Sequence, residues 1–243
     1  MERLRQDLRF ALRLFRKDRA FALTTILTLA LCIGANTAIF TIVRSVLLRP
    51  LPYPEPERLV FLYEAFPGAG VERAGTSVPN YFDRLPFTDA FESQALYTNS
   101  GFRVGQGVGA EGVSAMSVSP SFFNVLKTPA ARGRGFNEEE GTPGRNKVTI
   151  LSWSFAKRQP GGVDGIVGRE LVLNDERYTV VGVMPETFTF LNPDVRLWVP
   201  LAFSAEDRAP DRRYSQNHDE IARLAPGAPC RADLVSRGTR RAG

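Results

Sequence analysis

The sequence predicts an α+β protein. An N-terminal amphipathic helix and one transmembrane helix precede a mixed α+β extracytoplasmic domain, which we expect to have two lobes. Three observations lead to this prediction. Residues 20–43 contain no charged side chain, residues 1–19 contain seven basic side chains, and short β-rich runs alternate with short helical runs after residue 56. The alternation lacks the regular spacing of a parallel doubly wound sheet, which favours the α+β class.

The composition supports a packed domain and argues against nucleic acid as a partner. Of the 243 residues, 43% are hydrophobic and 10% aromatic, which is enough for a core. The formal charge is +5, but the excess lies at the two ends, because residues 44–229 carry twenty basic and twenty-two acidic side chains. No basic patch is visible on the body of the chain. Two cysteines and one histidine, His218, leave no disulfide framework and no His/Cys metal site.

Residues 1–19 are expected to form a basic amphipathic helix on the cytoplasmic surface of the membrane. The helical spacing places apolar side chains on one face and arginines on the other, where the arginines meet the headgroups of membrane lipid. A plain stop-transfer flank without structure of its own is the alternative. The membrane-interface residues are Leu4, Leu8, Leu12 and Phe15 on the apolar face, and Arg5, Arg9, Arg13 and Arg16 on the basic face.

Residues 20–43, "AFALTTILTLALCIGANTAIFTIV", predict the transmembrane helix. At about 1.5 Å per residue, they span about 36 Å, enough for a hydrocarbon core of about 30 Å. A signal peptide has a shorter apolar region, and a core helix normally has a polar face. The basic residues before the span place the N-terminus in the cytoplasm. Small residues at Ala30, Gly34 and Ala38, with Asn36 beside them, suit packing against another helix, although such ridges also occur by chance.

Residues 44–56 predict a stiff stalk. Pro50, Pro52, Pro54 and Pro56 cannot continue the helix and favour an extended chain. Tyr53 is a residue type typical of the membrane interface, where we expect it.

Residues 57–228 contain the elements of the extracytoplasmic domain. The runs "RLVFLYEA", "VSAMSVS", "KVTILS", "VRLWVPL" and "DEIARL" predict strands, and two further strands are joined by Asn174-Asp175. Short helices are expected after Ser77, Ser119 and Ser152, because serine is a common helix cap. A further helix is expected in "FTDAFESQALY". The glycine-rich residues 101–112 predict a hairpin or a surface loop.

No motif in the sequence indicates enzymatic chemistry. There is no Walker motif and no nucleophile elbow, and the run Glu138–Glu139–Glu140 lacks the spacing of a calcium loop. We therefore predict no catalytic, cofactor-binding or metal-binding residue. A hydrolase built on His218 remains a weak alternative.

Several motifs together resemble the N-terminal part of MacB-like, FtsX-type ABC transporter permeases, and most closely the acidobacterial type. These are "LLRPLPYPEPERLV", "VSPSFFNVL", "GRGF", "VGRELVLNDERYTVVGVMP", "LWVPL" and "IARLAPG", in the order of the family, together with the membrane segment. The resemblance spans about residues 6–227.

This resemblance implies a permease subunit that works with a separate cytoplasmic ABC ATPase, in efflux or in mechanotransmission across the membrane. It implies a homodimer or a paired permease in the bacterial inner membrane. The N-terminus would be cytoplasmic and the MacB-like periplasmic core domain, residues 57–228, would lie outside.

The end of the chain departs from the family pattern. The family continues with the rest of the core domain and three more spans, whereas residues 229–243 are polar and basic. We therefore expect an N-terminal fragment with an aberrant or disordered tail. The alternative is a single-pass, membrane-anchored extracytoplasmic binding or scaffold module without an ATPase partner.

Overall fold

The computed structural model describes residues 19–46, 52–66, 68, 70–86 and 89–228. The chain divides into two compact units, with the boundary between Leu51 and Pro52. The predicted amphipathic helix, Pro50 and the tail from residue 229 lie outside the described residues.

The first unit contains helix α1, Arg19–Val46. Its 28 residues span about 42 Å at about 1.5 Å per residue. Among the described residues, one helix is long and apolar enough to cross a membrane, and it is this one, over Arg19–Thr41. Large apolar side chains along it are exposed, among them Phe21, Leu31 and Phe40. A surface of this kind requires lipid or other helices around it.

The second unit is rich in strands, and its described residues include the short helices α2 Val78–Arg84, α3 Phe122–Val125, α4 Trp153–Arg158 and α5 Gly162–Gly165. 3₁₀ turns occur at Pro56–Arg58, Gly107–Gly109, Glu138–Gly141 and Pro210–Tyr214, among others. The strands are β1 Leu59–Leu62, β2 Glu64–Phe66, β3 Val71–Ala74, β4 Phe91–Val104, β5 Glu111–Val118, β6 Arg132–Gly133, β7 Val148–Leu151, β8 Glu170–Leu173, β9 Glu176–Val183, β10 Leu197–Pro200 and β11 Asp219–Leu224.

Nine strands form one mixed sheet in the order β1-β11-β4-β5-β10-β7-β9-β6, with β8 pairing both β4 and β9. The pairs β5/β10 and β7/β9 are parallel, and the remaining pairs are antiparallel. The pairing path β4-β5-β10-β7-β9-β8 returns to β4 at the pair Val104↔Leu173. Closing this path protects the edges that β8 and β4 would otherwise expose.

Apolar cores cover both faces of the central strands. In β10, Leu197 and Val199 belong to one buried cluster and Trp198 to another. In β7, Leu151 belongs to the cluster of Leu197 and Val199, and Ile150 belongs to the cluster of Trp198. Successive side chains of a strand point to opposite faces, so these strands read as continuous apolar runs rather than as alternating ones.

The prediction of a helix in "FTDAFESQALY" is wrong, because residues from Phe91 onward form β4, a strand of 14 residues. β4 pairs with β11 on one side and with β5 on the other. The run Gln94–Tyr97 is buried, as expected for a central strand with packing on both faces. The predicted glycine-rich hairpin is confirmed as the β4–β5 connection.

Two predicted helix caps are confirmed and one is displaced. Ser77 and Ser152 cap α2 and α4 by accepting hydrogen bonds from Asn80 N and Phe155 N. Helix α3 begins after Ser121 instead of Ser119. The Ser119 hydroxyl accepts a hydrogen bond from Leu96 N at 3.1 Å, so it ties the end of β5 to β4.

The expected two lobes do not correspond to a division of the domain, because the chain from Pro52 onward forms one compact unit. β4 explains this. Its first half pairs with β11, its whole length from Tyr97 pairs with β5, and its last residue pairs with β8. A single strand therefore joins what would otherwise be separate halves.

Two glycines from separate motifs pair directly. Gly133 of β6 lies opposite Gly182 of β9. A Cβ at Gly182 would lie 2.3 Å from Arg134 O, and one at Gly133 would lie 2.2 Å from Val181 O. Gly133 also has φ +72, which disfavours other residues. The backbones therefore approach each other more closely than any side chain allows.

The one histidine is partly buried beside β11. His218 O accepts a hydrogen bond from Thr76 N at 2.6 Å, and its ring packs edge-on against Phe203. Its Nδ1 is buried without a hydrogen-bond partner in the described part of the chain. Burial lowers the pKa of His218, although Asp207 and Asp219 oppose this shift. The imidazole is therefore held neutral more firmly than in water.

We expect Gly182→Ala to destabilise the domain by about 2–3 kcal/mol, because the new Cβ forces the backbones of β9 and residue 134 apart. The measurement is chemical unfolding of the purified chain in detergent micelles, followed by circular dichroism. Gly135→Ala is the control, since a Cβ there meets open space, and we expect it to change stability by less than about 0.5 kcal/mol. Equal losses in the two variants would contradict the close approach.

We expect acid to destabilise the domain through His218. Its lowered pKa in the folded state means that the unfolded chain binds this proton more readily, so stability falls as the pH drops below about 6.5. Unfolding measured between pH 7.5 and pH 5 tests this. His218→Gln, which keeps a polar side chain of similar length, is expected to lose less stability over that interval. An identical pH dependence in wild type and variant would refute it.

Candidate functional site

The membrane helix accommodates its polar residues internally. The hydroxyls of Thr25, Thr28 and Thr41 each donate to the carbonyl four residues earlier, at 2.8–2.9 Å. Hydroxyls bonded in this way place no unpaired donor in an apolar surrounding. The helix-packing residues predicted from sequence lie on α1, and all are exposed: Ala30, Gly34, Asn36 and Ala38. The interface residues Leu4 to Arg16 lie outside the described residues.

The proline segment bends instead of remaining extended. Pro52 and Pro54 are exposed, and Pro56 opens a 3₁₀ turn over Pro56–Arg58. Between them, Glu55 adopts a left-handed conformation with φ 49 and ψ 57. The expectation of an extended stalk is therefore wrong for residues 52–56, the described part of the predicted stalk, where the chain turns toward the sheet. The prolines still restrict the backbone on either side of that turn.

Tyr53 anchors this segment in the core. It is buried within the main apolar cluster, although we expected it at the membrane interface. Its hydroxyl donates a hydrogen bond to Thr189 O, and its ring lies 6.3 Å from that of Phe188. Burial raises the pKa of Tyr53, so the hydroxyl stays protonated and remains a donor.

Arg223 anchors the same segment from within the sheet. Its side chain is fully buried in β11. Nε donates to Val125 O at 2.7 Å, and Nη1 donates to Glu55 O at 3.2 Å and lies 3.6 Å from the Glu55 carboxylate. Burial lowers the pKa of Arg223, but an arginine stays charged at any ordinary pH. A buried charge tolerates little displacement of its partners, so residue 55 is fixed relative to β11 and α3.

Arg58 and Lys127 complete the attachment at the surface. Arg58 donates from Nε and Nη2 to Leu224 O, at 3.0 and 2.6 Å, and pairs with Glu55 and Glu92. Lys127 bridges the same two carboxylates, at 3.1 and 3.2 Å. The hydrogen bond from Lys127 lowers the pKa of Glu55. Burial raises the pKa of Glu92, but the hydrogen bonds from Lys127 and Arg58 outweigh it and lower that pKa as well. We call the set Tyr53, Glu55, Arg58, Lys127 and Arg223 the junction.

A second ionic cluster lies under β1 and β11. Arg84 pairs with the buried Glu220, and its Nη1 lies 3.7 Å from Glu64 Oε1. Thr76 and Asn80 provide further hydrogen bonds to this group, at 3.1 and 2.7 Å. Burial raises the pKa of Glu220 while Arg84 opposes the rise. This cluster holds α2 against the sheet.

In the described part of the chain, His218 Nδ1 has no hydrogen-bond partner, so no nucleophile is paired with the histidine through that atom. Ser204 Oγ donates to Asp207 Oδ2 at 2.7 Å. Among the described residues, no group of three His, Cys, Asp or Glu side chains could hold a metal ion. Glu140 of the acidic run pairs with Arg134 at 2.6 Å and closes a capping box with Asn137, which is a structural role.

Sequence reasoning missed most of the junction. It identified the prolines, but not Tyr53 as a core residue and not Arg223 as a buried charge. One signal was available, because Arg223 follows Ile221 at a spacing of two in an apolar strand. Both therefore point to the same face. A charge at an inward position of a strand indicates a buried polar contact.

Comparison with known proteins identifies the family. The model of the MacB-like periplasmic core domain matches residues 22–229. A comparison with curated proteins gives no match.

Solved structures also resemble the chain. One is the periplasmic region of MacB from Actinobacillus actinomycetemcomitans, with 13% identity, a TM-score of 0.49, and coverage of 74% of this chain and 78% of that chain. Another is the extracellular domain of the noncanonic ABC-type transporter YknZ from Gram-positive bacteria. Its identity to this chain is 13% and its TM-score is 0.48, and the match covers 74% of this chain and 88% of that chain. A third is a domain of a permease protein from Porphyromonas gingivalis. Its identity to this chain is 16% and its TM-score is 0.49, and the match covers 73% of this chain and 79% of that chain.

The family match covers most of the chain and includes most of helix α1 and the whole described sheet. It confirms the resemblance drawn from the sequence motifs. The chain belongs to the MacB-like periplasmic core domain family of ABC transporter permeases.

Proposed function

We propose that this chain is the membrane subunit of a MacB-like ABC transporter, in which a separate cytoplasmic ATPase drives motion of the extracytoplasmic domain. The task of the complex would be efflux or mechanotransmission. Family membership supports the permease assignment. The observation that supports coupling is the junction, which fixes the first described residues after the membrane helix to β11, to helix α3 and to the loop before β10.

The junction is suited to transmit displacement. The side chain of Tyr53 reaches the loop before β10, and that of Arg223 links residue 55 to β11 and α3. Packed interiors have low compressibility, so a movement applied at residue 53 is passed to the sheet instead of being absorbed by a loose tether. A passive anchor needs no buried charge at this point.

We propose the following arrangement in the inner membrane. Residues 1–19 lie in the cytoplasm against membrane lipid, residues 20–43 span the bilayer, residues 44–56 form the connection, and residues 57–228 lie in the periplasm. The exposed ridge of Ala30, Gly34 and Ala38 would pack against another permease helix, in a homodimer or a paired permease. Asn36 is two positions from Gly34 and Ala38, so it lies on the other side of α1. The seven basic residues before residue 20 support this orientation.

A membrane-anchored binding or scaffold module without an ATPase is the second candidate. One observation favours it: the chain from Pro52 onward forms a compact unit with its own core. A unit of this kind could act without motion of the membrane helix. The two candidates differ in whether nucleotide in the cytoplasm changes the periplasmic domain.

We expect alkaline phosphatase fused after residue 228 to be active in a bacterial host, because this enzyme folds only outside the cytoplasm. The same reporter fused after residue 18 should be inactive. Equal expression of the two fusions, measured by immunoblot, is the control. The proposed orientation requires that only the fusion after residue 228 is active. If only the fusion after residue 18 is active, the proposed orientation is excluded.

We expect a cytoplasmic ABC ATPase, co-expressed with the chain, to co-purify after crosslinking. In that complex, ATP compared with ADP should change hydrogen exchange in β11 and residues 185–195. Arg223→Met is expected to remove the exchange change while the ATPase still co-purifies, because the variant releases residue 55 from the sheet. Absence of the ATPase under crosslinking would favour the scaffold module.

Arg223→Met is also expected to lower the free energy of unfolding by about 3 kcal/mol, as is typical when a buried ion pair loses one partner. The stability of this variant must therefore be measured together with its ATP response. Tyr53→Phe is the milder variant, since it removes the hydrogen bond to Thr189 but keeps the ring. Arg177→Met is the matched control, because the Arg177–Glu170 pair is exposed and contributes less than about 1 kcal/mol. If Tyr53→Phe and Arg223→Met both keep the full ATP response, the junction does not transmit motion.

A further inference from the structure

Two residues of the junction have a left-handed backbone although neither is glycine. Glu55 has φ 49 and ψ 57, and Lys127 has φ 51. Their side chains meet, because Lys127 Nζ lies 3.1 Å from Glu55 Oε2. This ion pair therefore joins two backbones that are both in a conformation that residues other than glycine rarely adopt.

Lys127 occupies a position where glycine is the usual residue. It follows helix α3, and its N–H donates to Asn124 O at 3.0 Å while Thr128 N donates to Phe123 O at 3.1 Å. This pair of bonds is a Schellman motif, in which the left-handed residue is most often glycine. A lysine here strains the backbone, and what it adds in return is a charge that reaches Glu55.

Glu55 is strained for a different reason. It directly precedes Pro56, and the residue before a proline favours an extended backbone. Its left-handed conformation is therefore held from outside, by the contacts of its carboxylate and its carbonyl. Strained backbone of this kind is concentrated at switching and binding sites.

The ionic contacts of the carboxylate are weak enough to open. Lys127 bridges Glu55 and Glu92, and the side chains of the three residues are 35%, 48% and 36% exposed. Ion pairs with this exposure contribute little and are screened by salt. Their contribution is similar in size to the strain of two left-handed residues, so a small change can separate them.

The buried Arg223 sets which conformation predominates. Its Nη1 donates to Glu55 O at 3.2 Å. Rotation of residue 55 to an extended backbone turns this carbonyl away and leaves a buried guanidinium with one acceptor fewer, which is unfavourable. The left-handed conformation is therefore the major state at rest, and the extended one is the minor state.

We propose that Glu55 and Lys127 form an ionic latch that switches the connection after the membrane helix between two conformations. In the closed state the ion pair is made and residues 52–56 are bent toward the sheet. In the open state Glu55 is extended, and residues 52–56 straighten and leave α3. The role of the latch rests on the proposed function: the closed state passes movement to the sheet, and the open state does not.

A comparison of two variants at one position tests the strain. Glu55→Gly and Glu55→Gln both remove the carboxylate, and glycine normally costs more stability because it loses more backbone freedom on folding. The left-handed conformation reverses this order. We expect Glu55→Gly to unfold at a higher denaturant concentration than Glu55→Gln, measured by circular dichroism of the full chain in detergent micelles. If Glu55→Gln unfolds at the same or a higher concentration, residue 55 stores no strain and the proposal is overturned.

Electron-spin distance measurements test the switch without an ATPase, so the latch can fail or hold independently of the proposed function. The two labels replace the exposed residues Pro52 and Lys157, after Cys32→Ser and Cys230→Ser have removed the native thiols. We expect one dominant distance at low salt and a second, resolved distance at about 1 M salt, where ion pairs are screened. In Lys127→Met we expect the second distance already at low salt, with its population raised about fivefold, as suits the loss of one half-exposed ion pair.

Lys147→Met is the matched control. Lys147 also pairs with an acid, Glu176, and its side chain is 41% exposed, but neither residue belongs to the junction. This variant should keep the single distance at low salt. If Lys127→Met does not fold, the salt comparison in the labelled wild type decides the question. A single unchanged distance in Lys127→Met and at about 1 M salt, or a second distance in both lysine variants, would overturn the latch.

Discussion

The buried guanidinium of Arg223 is the contact on which the arrangement of the domain around the membrane connection depends. It lies in β11 with no exposed surface and donates to Glu55 O and Val125 O. A buried charge must keep its partners, because the loss of a partner leaves the charge without either water or a hydrogen-bond acceptor. Residue 55, helix α3 and β11 are therefore held in one geometry, which fixes the path of residues 53–58 along the sheet.

The sheet makes this attachment stiff. β11 pairs with β4, and β4 continues through the hairpin with β5 to the closed path that ends at Leu173. Apolar clusters on both faces of β7, β9 and β10 leave little room for one part to move alone. Tyr53 bonds to Thr189 O and packs against Phe188, so residues 52–58 are also tied to the loop before β10.

Local chemistry predicted many elements of the domain. Asn174-Asp175 has positive φ at both positions, which is the conformation that the β8–β9 hairpin needs, and Ser77 and Ser152 cap their helices as expected. The failures occur where partners distant in sequence decide. Residues 91–97 have a composition that suits a helix, but β11 and β5 supply hydrogen bonds on both sides and draw them into a strand.

Composition, periodicity and residues close together in the chain were enough to predict the membrane helix, the α+β class, the hairpins and the family. The junction became visible only in the folded domain. Arg223 meets Glu55, and Tyr53 meets Thr189, across more than 130 residues of chain. Contacts over that separation leave no local periodicity, so the burial of Tyr53 and the pairing of Gly133 with Gly182 follow only from the folded sheet.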